Sequence, residues 1–202
     1  MRRVILRAAR EIFVRDGYES FSMRKLASKI KYSPGTIYLH FKNKQALFEC
    51  LIDESYASLG TVMLGKHDGE GDDPVKDLRQ GWRAYVDFGL RNPNDYRFAF
   101  MLSRPEGASH FRNADLLFAA LRDSVKRCVE QGYFRPVDVD AAAQAQWASV
   151  HGITSLLIQR PKFPWVAKEK LIAQVIDTCI DSLLAVPPVA PEEELHASSA
   201  HS

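Results

Sequence analysis

Three observations predict an all-α protein of about nine helices in two parts. Apolar residues recur at the three-to-four-residue spacing of helices along most of the 202-residue chain, and no segment alternates as a half-buried strand does. Residues that begin or end helices punctuate this periodicity. Residues 1–48 hold eleven Lys and Arg against three acids, whereas the rest of the chain holds sixteen against twenty-two. A basic head on an acidic body is typical of proteins that bind a polyanion.

Four helices are expected in the first 64 residues. Their apolar faces begin with Ile5, Met23, Ile37 and Leu47, and the fourth helix is expected to run to about Leu64. Each helix starts or stops at a suited residue: Gly17 after the first, Ser22 before the second, Ser33 and Pro34 at the start of the third, and Asn43 before the fourth.

Five further helices are expected after a connector at residues 65–74. The acids of that connector lack the spacing and closing Glu of a calcium loop. The helices are predicted from Val75 to the break at Asn92-Pro93, at 95–102, at 114–130, from Asp138 or Asp140 to about Gln159, and after Pro164. Residues 187–202, with three prolines and three acids, are predicted to be a disordered tail.

Composition and motifs argue against several classes of protein. No apolar run approaches membrane-spanning length, and Arg2 and Arg3 lead into a periodic helix rather than a signal peptide. Cys50, Cys128 and Cys179 lie far apart and are expected to be small buried side chains in a reducing cytoplasm, with no marker of redox sensing. No metal site, cofactor motif or nucleophile–base pair is recognisable, so we expect no cofactor, no metal and no enzyme activity.

The segment from Phe21 to Lys44 predicts two short amphipathic helices joined by a tight turn. The second helix has an outer face of small, polar and ring-bearing side chains. A recognition helix needs such a face, because its first residues approach base edges while amides and cations hold phosphates.

The stretch S-P-G-T-I-Y-L-H-F-K-N-K-Q-A-L resembles the signature of the TetR family of bacterial regulators, and the lead-in A-A-R-E-I-F-V-R-D-G-Y-E-S-F-S extends the resemblance over the whole head. The resemblance implies phosphate contacts from Thr36, Tyr38 and Lys44. It implies base contacts from Arg24 and from the start and end of the third helix. The predicted DNA-binding residues are Arg24, Lys31, Ser33, Pro34, Gly35, Thr36, Tyr38, Leu39, His40, Lys42 and Lys44.

The turn departs from the family pattern, which has a glycine where this chain has Lys31-Tyr32. One of these residues is therefore expected at positive φ, and Lys31 is alternatively an added phosphate contact. Tyr38 as a packed aromatic, His40 as a solvated helix-end residue and Lys42 as solvated surface remain open alternatives.

A second resemblance lies at Trp147-Ala148-Ser149-Val150-His151-Gly152, which is similar to the W-x-x-x-H-G motif of one TetR C-terminal subclass. Trp147 and His151 are one helical turn apart and share a face. A hydrogen-bonded core histidine and a ligand-binding one both fit this pattern. The resemblance implies a pocket for a small, apolar or aromatic effector. Its candidate lining is Tyr85, Phe88, Tyr96, Phe100, Phe118, Trp147 and His151, with Phe98 also in the aromatic set.

The sequence thus predicts a cytoplasmic homodimer that binds double-stranded DNA and no membrane. Residues 1–48 are the DNA-binding domain, 49–186 the effector-binding and dimerisation domain, and 187–202 the tail. A small-residue face at Ala141, Ala145, Ala148, Ser149 and Gly152 would otherwise be exposed, which favours a symmetric dimer reading a palindrome. We expect a repressor released by its effector. A constitutive or activating regulator, a nonspecific DNA binder and, remotely, an enzyme are the alternatives.

Overall fold

The computed structural model describes residues 1–64, 73–102 and 111–185. Within these ranges the chain forms helices, with a single isolated antiparallel bridge between Phe134 and Leu184. The helices are α1 Arg2–Asp16, α2 Met23–Ile30, α3 Pro34–Tyr38, α4 Lys44–Leu64, α5 Pro74–Arg91, α6 Pro93–Phe100, α7 Arg112–Glu130, α8 Val139–Gln159 and α9 Lys168–Asp181. The predicted all-α fold of about nine helices is confirmed.

Side-chain caps fix where several helices begin. The Ser22 hydroxyl accepts from the Lys25 amide at 3.1 Å, and the Ser33 hydroxyl accepts from the Thr36 amide at 3.2 Å. Asn43 Oδ1 accepts from the Ala46 amide at 2.8 Å. Of the two aspartates proposed for α8, Asp138 is the cap. These bonds satisfy amides that lack partners in the first turn, so local sequence alone set these boundaries correctly.

Two boundaries predicted near prolines were wrong. α6 begins at Pro93 and ends at Phe100, whereas the sequence placed it at 95–102. Pro74, assigned to the connector, is the first residue of α5, where the Asp73 carboxylate caps the helix. Proline suits a first helical position because its φ is already helical and its missing N–H would have no partner there. The rest of that connector, 65–72, and the predicted tail at 187–202 lie outside the described residues.

The head core forms where α1, α2, α3 and the start of α4 meet. Its fully buried members include Ile5, Phe13, Leu26, Ile37 and Phe48. Phe98 and Ala99 of α6, together with Phe111, belong to the same apolar cluster. The Phe98 ring lies 5.7 Å from that of Phe13 and 4.9 Å from that of Phe48. The prediction that Phe98 joins the pocket aromatics was therefore wrong, because it packs into the head.

A second core holds α5, α7, α8 and α9 together. Trp82, Val86, Val150 and Ile176 are buried in it. Cys128 is fully buried there, and desolvation raises the pKa of its thiol to about 11. Cys50 and Cys179 are only partly buried, contrary to expectation. They lie at the edges of their apolar faces, and the Cys50 sulfur accepts from an Arg2 guanidinium nitrogen at 2.7 Å.

The turn between α2 and α3 contains the predicted positive φ. Lys31 ends α2 in the left-handed region, at φ 58° and ψ 41°. The Tyr32 amide donates to the Ala27 carbonyl at 3.1 Å, which closes the helix end. A lysine thus occupies a conformation that glycine adopts without a Cβ clash.

Replacing Lys31 by glycine is expected to raise the free energy of unfolding by roughly 0.5–1 kcal/mol. Relief of the clash outweighs the extra freedom of glycine in the unfolded chain. Urea unfolding monitored by circular dichroism measures the change. The matched control is Lys29→Gly, inside the right-handed part of α2, which is expected to lower stability by about 1 kcal/mol through helix propensity, the exposed pair with Glu11 adding little. Equal losses at both positions would contradict the assignment of strain to Lys31.

Candidate DNA-binding surface and candidate effector cavity

The third helix, α3, is held in the head by one buried side chain, and most of its other residues are exposed. Ile37 is fully buried in the head core, whereas Tyr38 is 52% exposed and Leu39 85% exposed. Gly35 has room for a Cβ, since the nearest atom, Ser33 Oγ, would be 3.6 Å away. Packing within the protein therefore does not require a glycine at this position. The missing side chain leaves space on the outer surface of α3 for a bound molecule. Close approach to a base or phosphate uses such a gap.

The predicted DNA-binding side chains share this exposed surface. Arg24 of α2 and Lys31, Ser33, Pro34 and Thr36 are exposed or nearly so, as are His40, Lys42 and Lys44 beyond α3. The Ser33 hydroxyl is already used, since it caps α3 and lies 2.9 Å from the Thr36 hydroxyl. Lys44 Nζ lies 4.0 Å from the centre of the Tyr18 ring.

Ion pairing divides the eleven cations of the head into two groups. Five have carboxylate partners: Arg2 with Glu54, Arg10 with Asp95, Arg15 and Lys25 with Asp16, and Lys29 with Glu11. The other six have none among the described residues: Arg3, Arg7, Arg24, Lys31, Lys42 and Lys44. Four of these six belong to the predicted DNA-binding set. The exposed cations with no internal counter-charge are thus concentrated at the helix-turn-helix.

Arg3 and Arg7 are unpaired cations that the sequence prediction omitted. They stand one turn apart on the exposed face of α1. The available signal was their i, i+4 spacing on α1, where the acid one turn further on is Glu11. In the structure Glu11 binds Lys29 of α2 instead, at 2.8 Å.

A cavity of about 70 Å³ lies between α4, α5, α6, α7 and α8. Four of the predicted pocket residues line it: Tyr85, Phe100, Phe118 and Trp147. Tyr96 and His151 lie behind it in hydrogen bonds to Tyr85, and Phe88 is buried without lining it. The lining residues that the prediction omitted are Tyr56, Met63, Trp82, Ala114, Leu117 and Leu121. Tyr56 and Met63 are seven residues apart on α4 and so share a helix face. The sequence contained this spacing, but it was not used to predict the pocket.

The polar groups behind the cavity form a compact cluster. The Tyr96 hydroxyl is 2.6 Å from His151 Nδ1, and the Tyr85 hydroxyl is 3.0 Å from that of Tyr96. Desolvation raises the pKa of both tyrosines and lowers that of His151, so all three groups are neutral near pH 7. The His151 ring also stacks on Tyr96, with centroids 5.6 Å apart.

Gly89 allows α5, α6 and α8 to meet behind the cavity. A Cβ there would lie 2.5 Å from Thr154 Cγ2 and 2.8 Å from Tyr96 Cδ2. A larger side chain at Gly89 would therefore displace Tyr96 from its hydrogen bonds rather than fill the cavity.

Within the described ranges, two kinds of feature are not found. No helix there combines the length and apolar composition needed to cross a bilayer. Nor do the described residues bring three His, Cys, Asp or Glu side chains together in an arrangement that could hold a metal ion.

These features define a class: a helical protein with a helix-turn-helix head and a separate cavity-bearing body. The sequence matches the family described as "Bacterial regulatory proteins, tetR family" over residues 5–51. It matches that described as "Tetracyclin repressor-like, C-terminal domain" over residues 78–183. The chain therefore belongs to the TetR family, whose members are helix-turn-helix regulators of transcription.

Individual relatives agree with this assignment. The chain is 48% identical over 48 residues to the HTH-type transcriptional regulator UidR of Escherichia coli K12, and this match covers 24% of each chain. The chain thus spans about a quarter of the length of the UidR regulators that it matches. It is 26% identical over 157 residues to the uncharacterized HTH-type transcriptional regulator YobS of Bacillus subtilis, covering 77% of this chain and 78% of YobS.

Solved structures share the fold along nearly the whole chain. A tetR-family regulatory protein from Rhodococcus RHA1 superposes with a TM-score of 0.73 at 22% identity, covering 92% of this chain and 98% of that one. The TetR family regulator PfmR of Thermus thermophilus gives a TM-score of 0.69 at 26% identity, covering 88% and 97%.

Tyr38→Phe and Arg24→Ala are expected to weaken DNA binding in different ways. If Tyr38 donates to a phosphate as the sequence predicts, loss of its hydroxyl should weaken binding to all operator sequences alike. If Arg24 pairs bidentately with a guanine as the sequence predicts, its loss should cost roughly 1–3 kcal/mol and relax the preference at one base pair per half-site. Binding to a library of operator variants measures both effects. Equal, sequence-independent losses in the two variants would contradict base reading by Arg24.

Proposed function

We infer that this chain is a cytoplasmic transcriptional repressor that binds a palindromic operator as a homodimer and is released by a small apolar effector. Residues 1–48 bind DNA, and residues 49–186 hold the effector and the dimer contacts. The supporting observation is that a wall of the body cavity and part of the head core lie on one short helix, α6. A constitutive or activating regulator would have the same head, and effector response distinguishes it.

The DNA-binding role is supported by the charge of the head. Its unpaired cations flank an exposed helix, and cations with no carboxylate partner can contact phosphates directly. The absence of counter-charges matters, because a cation already held by a carboxylate must break that pair to bind a phosphate.

The homodimer is supported by an uncovered face on α8 and α9. Ala141, Ala145, Ala148 and Ser149 are exposed along α8, beside a groove of about 240 Å³ between the two helices. Gln146 is buried at this groove. Its Oε1 accepts from Trp82 at 2.8 Å, while its Nε2 has no acceptor among the described residues. A second copy packed on this face would cover the exposed small residues of α8 and the groove beside them.

Effector control is supported by α6. Phe100 lines the cavity, and Phe98, two residues earlier, packs against Phe13 and Phe48 of the head. Asp95 of the same helix pairs with Arg10 of α1. A ligand that displaces Phe100 moves α6, and α6 carries the head with it. A changed spacing of the two heads then forfeits simultaneous binding of both half-sites.

The body is further proposed to belong to the W-x-x-x-H-G subclass, with His151 acting behind the cavity. The relatives named above are transcriptional regulators, and no catalytic arrangement accompanies His151 among the described residues. Regulation rather than catalysis is therefore the proposed activity.

Operator affinity is expected to fall steeply with salt, by about 0.9 in log K per log salt for each phosphate neutralised. Removing unpaired cations with Lys42→Gln and Lys44→Gln should flatten that slope. The matched control, Lys25→Gln with Lys29→Gln, removes the same charge from cations bound to Asp16 and Glu11, and should change the slope less. Titrations at three salt concentrations measure it. Identical slopes in the two double variants would contradict the assignment.

Phe98→Leu is expected to reduce the effect of an effector on operator affinity more than it reduces operator affinity itself. The smaller side chain loosens the contact between α6 and the head while the cavity and the recognition helix stay intact. Phe88→Leu is the matched control, since Phe88 is also a buried phenylalanine but belongs to the body core. Operator binding with and without effector measures the coupling. Equal coupling in both variants would contradict transmission through Phe98.

A further inference from the structure

The polar cluster behind the cavity determines whether the Tyr85 hydroxyl can donate a hydrogen bond to a ligand or accept one. Tyr85 is the one member of the cluster with Tyr96 and His151 that lines the cavity. Its hydroxyl lies 3.0 Å from that of Tyr96 and 3.1 Å from His151 Nδ1. The direction of these hydrogen bonds decides whether Tyr85 faces a ligand as a donor or as an acceptor.

Distances within the cluster favour one direction. The 2.6 Å separation of the Tyr96 hydroxyl from His151 Nδ1 suits an O–H donor, since N–H donors keep about 2.7–3.2 Å. Tyr96 therefore donates, and Nδ1 of the neutral imidazole accepts. The other acceptor near Tyr96, the His151 carbonyl oxygen, is 3.5 Å away.

With the Nδ1 lone pair occupied, the Tyr85 hydrogen goes to the Tyr96 oxygen. Both hydroxyl hydrogens then point into the cluster, so the Tyr85 oxygen acts as an acceptor towards its other neighbours. Tyr85 thus presents an acceptor to the cavity. The side chain of Trp147, whose indole N–H can only donate, is a hydrogen-bonding neighbour of Tyr85, so a ligand hydroxyl takes the place of that donor at the Tyr85 oxygen.

The rest of the cavity wall restricts the ligand further. None of the ten lining residues is charged, so a buried carboxylate or ammonium group would have no counter-charge. The volume of about 70 Å³ is smaller than the roughly 150 Å³ of an apolar cavity that binds benzene. Phe118 and Trp147 line both this cavity and an outer groove of about 440 Å³, so a ligand of one ring enters by displacing that pair.

We propose that the cavity takes a small, neutral, one-ring or similarly compact apolar molecule with a single hydroxyl group, whose O–H donates to the Tyr85 oxygen. This proposal rests on the proposed effector role of the cavity. The cluster of Tyr85, Tyr96 and His151 acts as a positioning device, because it holds the hydroxyl hydrogen of Tyr85 away from the ligand.

Four probes of one ring size separate the possible polar contacts: p-cresol, 4-methylanisole, toluene and p-toluate. Binding to the full-length protein is followed by tryptophan fluorescence, since Trp82 and Trp147 line the cavity. p-Cresol is expected to bind about fivefold more tightly than toluene, the value of one net hydrogen bond. 4-Methylanisole, which has no hydrogen to donate, should match toluene, and p-toluate should bind at least about tenfold more weakly than toluene.

Variants test the direction of the hydrogen bonds. Tyr85→Phe should abolish the preference for p-cresol while leaving toluene binding unchanged, and Tyr32→Phe, on the head surface, should preserve it. His151→Phe removes the acceptor of the Tyr96 hydrogen, which then turns to the Tyr85 oxygen and frees the Tyr85 hydrogen for the ligand. The preference for p-cresol over 4-methylanisole should then fall to about one.

Failure of the Tyr85 proposal can be distinguished from failure of the proposed repressor function. A p-cresol preference that survives Tyr85→Phe, equal binding of p-cresol and 4-methylanisole to the wild type, or no binding of any ring overturns the Tyr85 proposal. Release of the operator by some other compound would leave the repressor function standing in each case. Conversely, Tyr85-dependent binding of p-cresol supports the ligand class even where operator affinity does not change.

Discussion

The contact of Phe98 with Phe13 and Phe48 joins the head to the body. Successive helical residues are about 100° apart, so Phe98 and Phe100 point to nearly opposite sides of α6. One side faces the head core and the other faces the cavity, where the Phe100 ring lies 4.8 Å from Tyr96 and 5.4 Å from His151. One short helix of eight residues thus contributes side chains to both the head core and the cavity wall. Under the proposed mechanism, a shift of Phe100 at the cavity is transmitted to the head through Phe98.

The long helix α4 provides a second connection, and it also passes beside the cavity. Its first turns supply Leu47, Phe48 and Leu51 to the head core. Further along, Tyr56 lines the cavity and donates its hydroxyl to the Ala99 carbonyl of α6 at 3.2 Å. α4 and α6 are therefore bonded to each other at the boundary between the two cores. Motion of α6 relative to α4 requires that this bond breaks or that both helices move together.

Local signals made the head predictable from sequence. Caps at Ser22, Ser33 and Asn43 depend on a few neighbouring residues, and so does the strained turn at Lys31. The cavity was harder, because its wall combines helices that are distant in sequence. On α6, Tyr96, Phe98, Ala99 and Phe100 are all apolar or aromatic, so periodicity could not tell which side faces which core.

The same limit applies to the polar cluster. The spacing of Trp147 and His151 indicated a shared face, but the partners of His151 come from α5 and α6, which periodicity cannot bring together. The ion pairs of the head cations could not be predicted either, because Glu11 pairs with Lys29 of α2 and not with Arg7 of its own helix, α1. The sequence therefore predicted the helices themselves but not the contacts between them.

Coupling between the cavity and the head is most directly tested by reciprocity. The affinity of a releasing compound is measured on the free protein and on the operator-bound protein, and operator affinity is measured with and without the compound. If both sites act through α6, the operator should weaken compound binding by the same factor by which the compound weakens operator binding, typically about 5–150-fold. A compound that occupies the cavity with the same affinity in free and operator-bound protein would contradict the coupling.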